Sequence, residues 1–339
     1  MIKGYEWTVV GAGPAGIASL GMLLDSGVVP QEILWIDPEF KVGDFGTHWR
    51  YVSSNTPVES FLKFYRACES FQYGTQTEPF FIDKMDPSNN CLLQIAAQPL
   101  QWITAHFKEK VSVKYDSVKF MVKRQMGWEL LLSSNEKVVS KKVILAIGAE
   151  VESLKFSSKM KEIPLSVALN SKLLEKTIDE GDTVAVFGAA QSAKSALLNL
   201  KNKKLTRVIH FYRAEDFPER HLSNIDLSHV LSIPMKGENL LKYIPCCSKV
   251  IYATGFTRRK FVIDSLPENF SYNRETGLIA PCLYGIGIAF PEILYHEMGR
   301  PEYKVSAIWP FMKRLKKLMP YWLAQREETA QLFFESHIV

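Results

Sequence analysis

Apolar positions along this chain switch between two spacings, and the switches mark its elements. Thr8-Val9-Val10 is a short β-branched run that breaks at Gly11. Apolar residues resume at helical spacing from Ile17 to Leu24, and Glu32-Ile33-Leu34-Trp35-Ile36 is again a continuous run. This predicts strand, tight turn, helix, strand, with Gly27 closing the helix. Leu92 to Lys110 has helical spacing and ends in basic residues, and Phe61 to Phe71 predicts a shorter aromatic helix. Val111 to Tyr115 alternates as a strand, and Val118–Lys123 and Trp128–Leu132 flank a turn at Gly127. Lys142 to Gly148 and Lys249 to Phe256 are apolar runs ending in small residues, the pattern of buried parallel strands. Leu283 to Phe290 predicts a late strand of the first sheet, and Pro291-Glu292 is placed to open a helix whose dipole points at a cofactor ring.

The opening pattern occurs twice. Asp182 to Ala193 repeats strand, glycine turn and helix, and Arg207 to Tyr212 supplies the next strand. In the first copy Gly11 permits the sharp turn, Gly13 lets backbone approach a pyrophosphate, and Gly16 lets helix and strand pack closely. Pro14 suits the first helical turn, and Asp37 stands where an acid can bond a ribose 2′-hydroxyl. The free N–H groups and positive dipole end of the helix then face the phosphates. In the second copy the glycines have become Gly188, Ala190 and Ala193. Arg213 follows Gly188 as far as Asp37 follows Gly11, to within one residue, and Arg220 is near it. An arginine there can hold the 2′-phosphate of NADPH, whereas Glu215 and Asp216 suit an unphosphorylated ribose.

Between these units, residues 41–57 predict a long loop turned toward the reactive end of a cofactor, and 150–176 a polar connector. Length changes the picture by requiring two domains or one with a large insertion: the chain has 339 residues. A net charge of +5 suits anionic cofactors and does not argue for nucleic acid. The five cysteines form no CxxC and no zinc spacing, which points to a reducing, cytoplasmic setting with Cys246 and Cys247 as thiols and no bound metal. Trp7 to Leu24 is uncharged, but its glycines and proline divide it into two short elements, so it is not a membrane span. The basic stretch Trp309 to Lys317 predicts a surface helix packing one apolar stripe.

Three motifs carry a resemblance: Gly11-x-Gly13-x-x-Gly16, the runs LAIG (145–148) and YATGF (252–256), and GAAQSA (188–193). To about residue 300 the chain resembles the flavoproteins with two dinucleotide-binding domains. GTHWRYVSSNTPVESF (46–61) is similar to the loop of flavin-containing monooxygenases. The resemblance implies an α/β fold of two Rossmann-like domains. The FAD domain is discontinuous, 1–150 plus 250–300, with an NAD(P)H domain at 151–249 inserted and a helical tail at 301–339. It implies FAD contacts at Gly11, Gly13, Pro14, Ala15, Gly16, Asp37, Trp49, Asn55, Val118, Ala146, Gly148, Gly255 and Gly287. NADPH, or NADH, would be held by Gly188, Ala190, Gln191, Ser192, Arg213 and Arg220. Asn55, the catalytic candidate, would hold the oxidised nicotinamide and shield the oxygen-activated ring from water while a soft sulfur or nitrogen of a small molecule is oxygenated.

The chain departs from this pattern where an FxGxxxH segment is expected; residues 163–169 read IPLSVAL. A thioredoxin-reductase relay would need a CxxC, which is missing. Reduction of a small disulfide, a quinone or a partner protein is the alternative activity, and a nucleotide-bound interaction protein the non-enzymatic one.

Overall fold

β1 (Gly4–Val10) buries side chains on both of its faces, the mark of a central parallel strand. The computed structural model describes residues 4–154, 160–201, 203–213, 226–264, 266–295, 301–304 and 307–325. They form two units, Met1–Ala149 with Arg258–Val339, and Glu150–Thr257.

In the first unit, β1 leads through α1 (Pro14–Asp25) to β2 (Ile33–Ile36), which pairs with it in parallel. Gly27 ends α1: its N–H bonds the Leu24 carbonyl and the Val28 N–H bonds that of Leu23. Residues 41–57 are more ordered than a loop. They hold the single turn α2 (Gly43–Gly46) and β3 (Ser53–Pro57), which pairs with β4 (Asn90–Leu92). β3 runs into α3 (Val58–Tyr65), and β4 runs into α4 (Leu93–Lys110). β5 (Ser112–Lys114) then pairs with β2. β6 (Val118–Arg124) and β7 (Gly127–Leu132) form a hairpin with β8 (Lys137–Leu145) as the next strand. β8 serves three neighbours. Its first half pairs antiparallel with β7, its end runs parallel to a late strand at residues 283–285, and β1 lies along its other edge.

The second unit begins within the extended β9 (Ala149–Val151), at Glu150, and contains β10 (Lys161–Glu162), the short helices α5 (Leu165–Ala168) and α6 (Ser171–Glu175), β11 (Thr183–Phe187), α7 (Gln191–Leu200), β12 (Arg207–Tyr212), β13 (Val230–Pro234), α8 (Gly237–Tyr243) and β14 (Lys249–Tyr252). Its described sheet is parallel throughout, in the order β10-β14-β11-β12-β13. The expected connector at 150–176 is thus part of this unit. β14 also corrects the expected boundary at residue 250. Its buried Lys249 lies opposite Val184 and pairs with Asp182 at 2.7 Å and Asp179 at 2.8 Å, fastening β14 beside β11. The chain therefore returns to the first unit only after β15 (Phe256–Arg258) begins.

The returning chain adds β16 (Val262–Ile263) beside β6, then β17 (Leu278–Ala280) and β18 (Leu283–Gly285), the late strand beside β8. Pro291-Glu292 opens no helix: the backbone goes directly into β19 (Ile293–Tyr295), which pairs with β20 (Pro301–Lys304). The last described element, α9 (Ile308–Ala324), is not a peripheral tail. Met312, Leu315, Met319 and Trp322 are fully buried in the same core as Trp7, Trp35 and the α1, α3 and α4 side chains. Lys142 caps it, donating from Nζ to the Trp322 and Leu323 carbonyls, a cation at a helix C-terminus. Alternate residues of β1, β2 and β8 face this helical core, while Tyr5, Leu34, Ile36, Val143 and Leu145 face a second core with β6, β7 and residues 261–290.

Candidate nucleotide-binding sites

The first turn is fixed by close packing of backbone. Gly11 has φ +105°, and a Cβ there would strike the Ala146 carbonyl at the end of β8. A Cβ on Gly16 would strike the Gly11 carbonyl. Around Gly13 the space is open, with no atom within 4 Å of a Cβ. Gly13 also caps α1 without a side chain, and no acid lies in the first helical turn. The orphan N–H groups of that turn are therefore left for an anion. This vacancy beside an uncapped helix start is what a pyrophosphate requires, so the residues present fit a dinucleotide.

Two side chains hold the turn from below. Trp35 Nε1 donates to the Gly11 carbonyl at 3.0 Å. The Asp37 carboxylate accepts the N–H groups of Ala12 at 2.7 Å, Glu39 at 2.9 Å and Phe40 at 2.7 Å. Asp37 is thus first a clasp between the glycine turn and the end of β2.

A cavity of about 500 Å³ opens at this end of the sheet. Of the residues expected to bind FAD, Gly11, Asp37 and Val118 line it, and Gly13, Pro14, Ala15, Gly16, Ala146, Gly148 and Gly287 do not. Gly287 lies against the first turn of α1, where a Cβ would come within 2.7 Å of Ala15. Polar and charged lining residues escaped the sequence reading: Glu39, Lys41, Asp44, His48, Asp116, Arg259 and Lys260. Asp44 joins two of them, bonding His48 Nδ1 at 3.0 Å through one oxygen and the Arg259 guanidinium through the other. No sequence signal marks that pairing, because Asp44 and Arg259 lie 215 positions apart.

Trp49 and Asn55 also lie outside the cavity lining. Asn55 is exposed on β3, on the same outward face as Ser53, while Ser54 is buried and its hydroxyl accepts the Cys91 N–H at 3.2 Å.

The second unit repeats the first at its turn. Gly188 has φ +118°, and a Cβ there would strike the Ala253 carbonyl. His210 lies on β12 opposite Val186, as Trp35 lies on β2 opposite Val9, and its Nε2 meets the Gly188 carbonyl at 2.6 Å. Its Nδ1 meets the Ser232 hydroxyl at 3.1 Å, and burial pushes the imidazole pKa down. Ala190 caps α7 with no side-chain bond, and Gln191 and Ser192 open the helix. Arg213 is exposed at the end of β12. Gly255, expected in the FAD domain, follows β14 in this second unit and is exposed. Arg220, Glu215 and Asp216 lie outside the described residues.

No protein-family model matches the chain. Its sequence is 28% identical to Monooxygenase AgnR1 of Paecilomyces divaricatus, over 93% of this chain and 97% of that protein. A flavin-containing monooxygenase from Stenotrophomonas maltophilia shares the fold with a TM-score of 0.58 at 14% identity, covering 94% of this chain and 99% of that one. The chain has the fold of the two-dinucleotide-binding-domain flavoproteins. A thioredoxin reductase from T. acidophilum shares this fold too, with a TM-score of 0.54 at 12% identity over 94% and 97% of the two chains. Among the described residues, no helix is long and apolar enough to cross a membrane.

Proposed function

We propose that this chain is an FAD-dependent NADPH oxidoreductase of the monooxygenase type, acting on a small molecule. The observation that carries this reading is the duplicated turn. Each unit has a strand ending at a positive-φ glycine, a buried side chain of the next strand bonded to that glycine's carbonyl, and a helix start with no side-chain cap. Two such sites in one chain suit two dinucleotides, and the similarity to a monooxygenase over nearly the whole length favours oxygenation.

Gly13 and the start of α1 would hold the FAD pyrophosphate, with Asp37 and Val118 toward its adenosine end. Gly188, Ala190, Gln191 and Ser192 would hold that of NADPH, and Arg213 its 2′-phosphate. Bound FAD would supply the redox step, accepting hydride from NADPH and activating oxygen. Asn55 would orient the nicotinamide amide by hydrogen bonds and help exclude water. None of the five cysteines is joined in a disulfide, which supports a reducing, cytoplasmic setting.

The test is a spectrum of the purified protein before and after anaerobic NADPH. A yellow protein that NADPH bleaches, and that consumes oxygen when air is admitted, is the expected result. A colourless protein that takes up no added FAD would overturn the reading.

A further inference from the structure

The lysines and arginines lining the cavity at the first turn are Lys41, Arg259 and Lys260. The Lys41 and Lys260 side chains are 65% and 81% exposed and pair with Glu39 at 3.6 Å and Glu268 at 2.7 Å. Arg259 is 42% exposed and is held at two points of its guanidinium. Nη2 donates to the Asp44 carboxylate, and Nη1 donates to the Ile147 carbonyl at 3.5 Å. An ion pair this exposed adds little to stability, so its main effect is to fix where the guanidinium lies. These contacts use only some of its five donors.

Both sides of the pair abut the glycine turn. A Cβ on Gly148, just past β8, would lie 3.5 Å from Arg259 Nη1, and the Ala146 carbonyl before it is the one against which Gly11 packs. On the other side, Gly43 precedes Asp44 with φ +56°, and a Cβ there would come within 3.2 Å of the Gly13 Cα. Gly11, Gly43, Asp44 and Arg259 all line the same cavity. Its wall also carries the carboxylates of Asp37, Glu39 and Asp116. Asp116 is engaged by the N–H groups of Ser117 at 2.7 Å and Ser134 at 3.2 Å, as Asp37 is by its own three. A diphosphate entering a wall so rich in carboxylates needs a fixed cation, and the forked donors of a guanidinium match phosphate oxygens.

We propose that Arg259 binds the diphosphate of the first dinucleotide, and that Asp44 is a positioning residue that aims its guanidinium. This rests on the FAD assignment above. The glycine turn comes from the start of the chain and this cation from its return to the first unit after residue 257. The opening strand, turn and helix therefore hold the cofactor fully only when the returning segment is in place.

The test is fluorescence titration of flavin-free, full-length protein with FAD at low and high KCl. Arg259→Met should raise the Kd about tenfold or more. It should also flatten the rise of Kd with salt, because a screened charge is gone, while the melting temperature stays near the parent's. Arg259→Lys keeps the charge but not the fork, and should lose about threefold with the salt dependence preserved. Asp44→Asn should also weaken binding about threefold, because the guanidinium loses its charged anchor. An unchanged Kd or an unchanged salt dependence in Arg259→Met overturns the proposal. Tighter binding in Asp44→Asn overturns the positioning role, since the carboxylate would then act only by repelling phosphate. Should Arg259→Met fail to fold, Arg259→Lys decides by its Kd, and no loss refutes the role. A parent protein that takes up no FAD would instead refute the FAD assignment.

Discussion

Trp35 stands to Gly11 as His210 stands to Gly188: each lies two residues short, in register, of the glycine whose carbonyl it holds. The two solutions differ in chemistry. An indole can only donate, whereas an imidazole can donate on one side and accept on the other.

Replacing Trp35 with Phe keeps an aromatic ring but leaves the Gly11 carbonyl without its donor. The expected loss is about 1–3 kcal/mol of stability, with weaker FAD retention because the turn is no longer fixed. Urea unfolding and flavin content of the purified variant check both effects.

His210 makes the second turn sensitive to pH. A carbonyl only accepts, so Nε2 carries the hydrogen and the neutral ring offers Nδ1 to the Ser232 hydroxyl. Burial lowers the folded-state pKa below the ordinary 6.5, so the unfolded chain binds the proton more readily. Stability from this residue is complete above pH 6.5 and declines as pH falls through the folded-state value. His210→Gln should flatten that decline, which thermal unfolding between pH 5 and 8 will show.

The glycines of the first turn separate folding from binding. No atom outside its chain neighbours lies within 4 Å of a Cβ at Gly13, so Gly13→Val should fold with a melting temperature close to the parent's and lose flavin. At Gly16 the side chain strikes the Gly11 carbonyl, so Gly16→Val should cost about 3 kcal/mol or more. Melting curves and bound-flavin absorbance distinguish them; a yellow Gly13→Val protein would remove the pyrophosphate from that position.

Arg213→Ala should raise the apparent KM for NADPH about tenfold or more and that for NADH little, as expected for a charge that reads a 2′-phosphate. Steady-state kinetics with both donors measure it, and equal effects would assign Arg213 elsewhere.

What was legible in the sequence was local. The glycine spacings at 11–16 and 188–193 carry their signal within a few residues, and the strands and helices flanking both turns stand where it puts them, whereas the aromatic helix expected at Phe61–Phe71 runs from Val58 to Tyr65. What stayed hidden was set by contacts distant in sequence. The placement of β14 depends on Lys249 reaching Asp182. The Asp44–Arg259 pair joins the two halves of the first unit, and Asp37 is drawn into a clasp by N–H groups that any residue carries. The burial of α9 was equally unreadable, because its apolar stripe is that of any surface helix until Lys142 and Trp7 are known to meet it.

The position of α9 has a consequence for synthesis. β1 and its turn are made about 310 residues before Trp322, and the core they join stays open until Trp322 arrives. At about 5–20 residues per second, that is a wait of roughly 15 to 60 seconds on the ribosome. Every residue of β11 to β14 is made before then, so the later nucleotide unit can fold while the earlier one still exposes Trp7 and Trp35. The first unit, begun before the second, is completed after it, and until then its apolar core faces water.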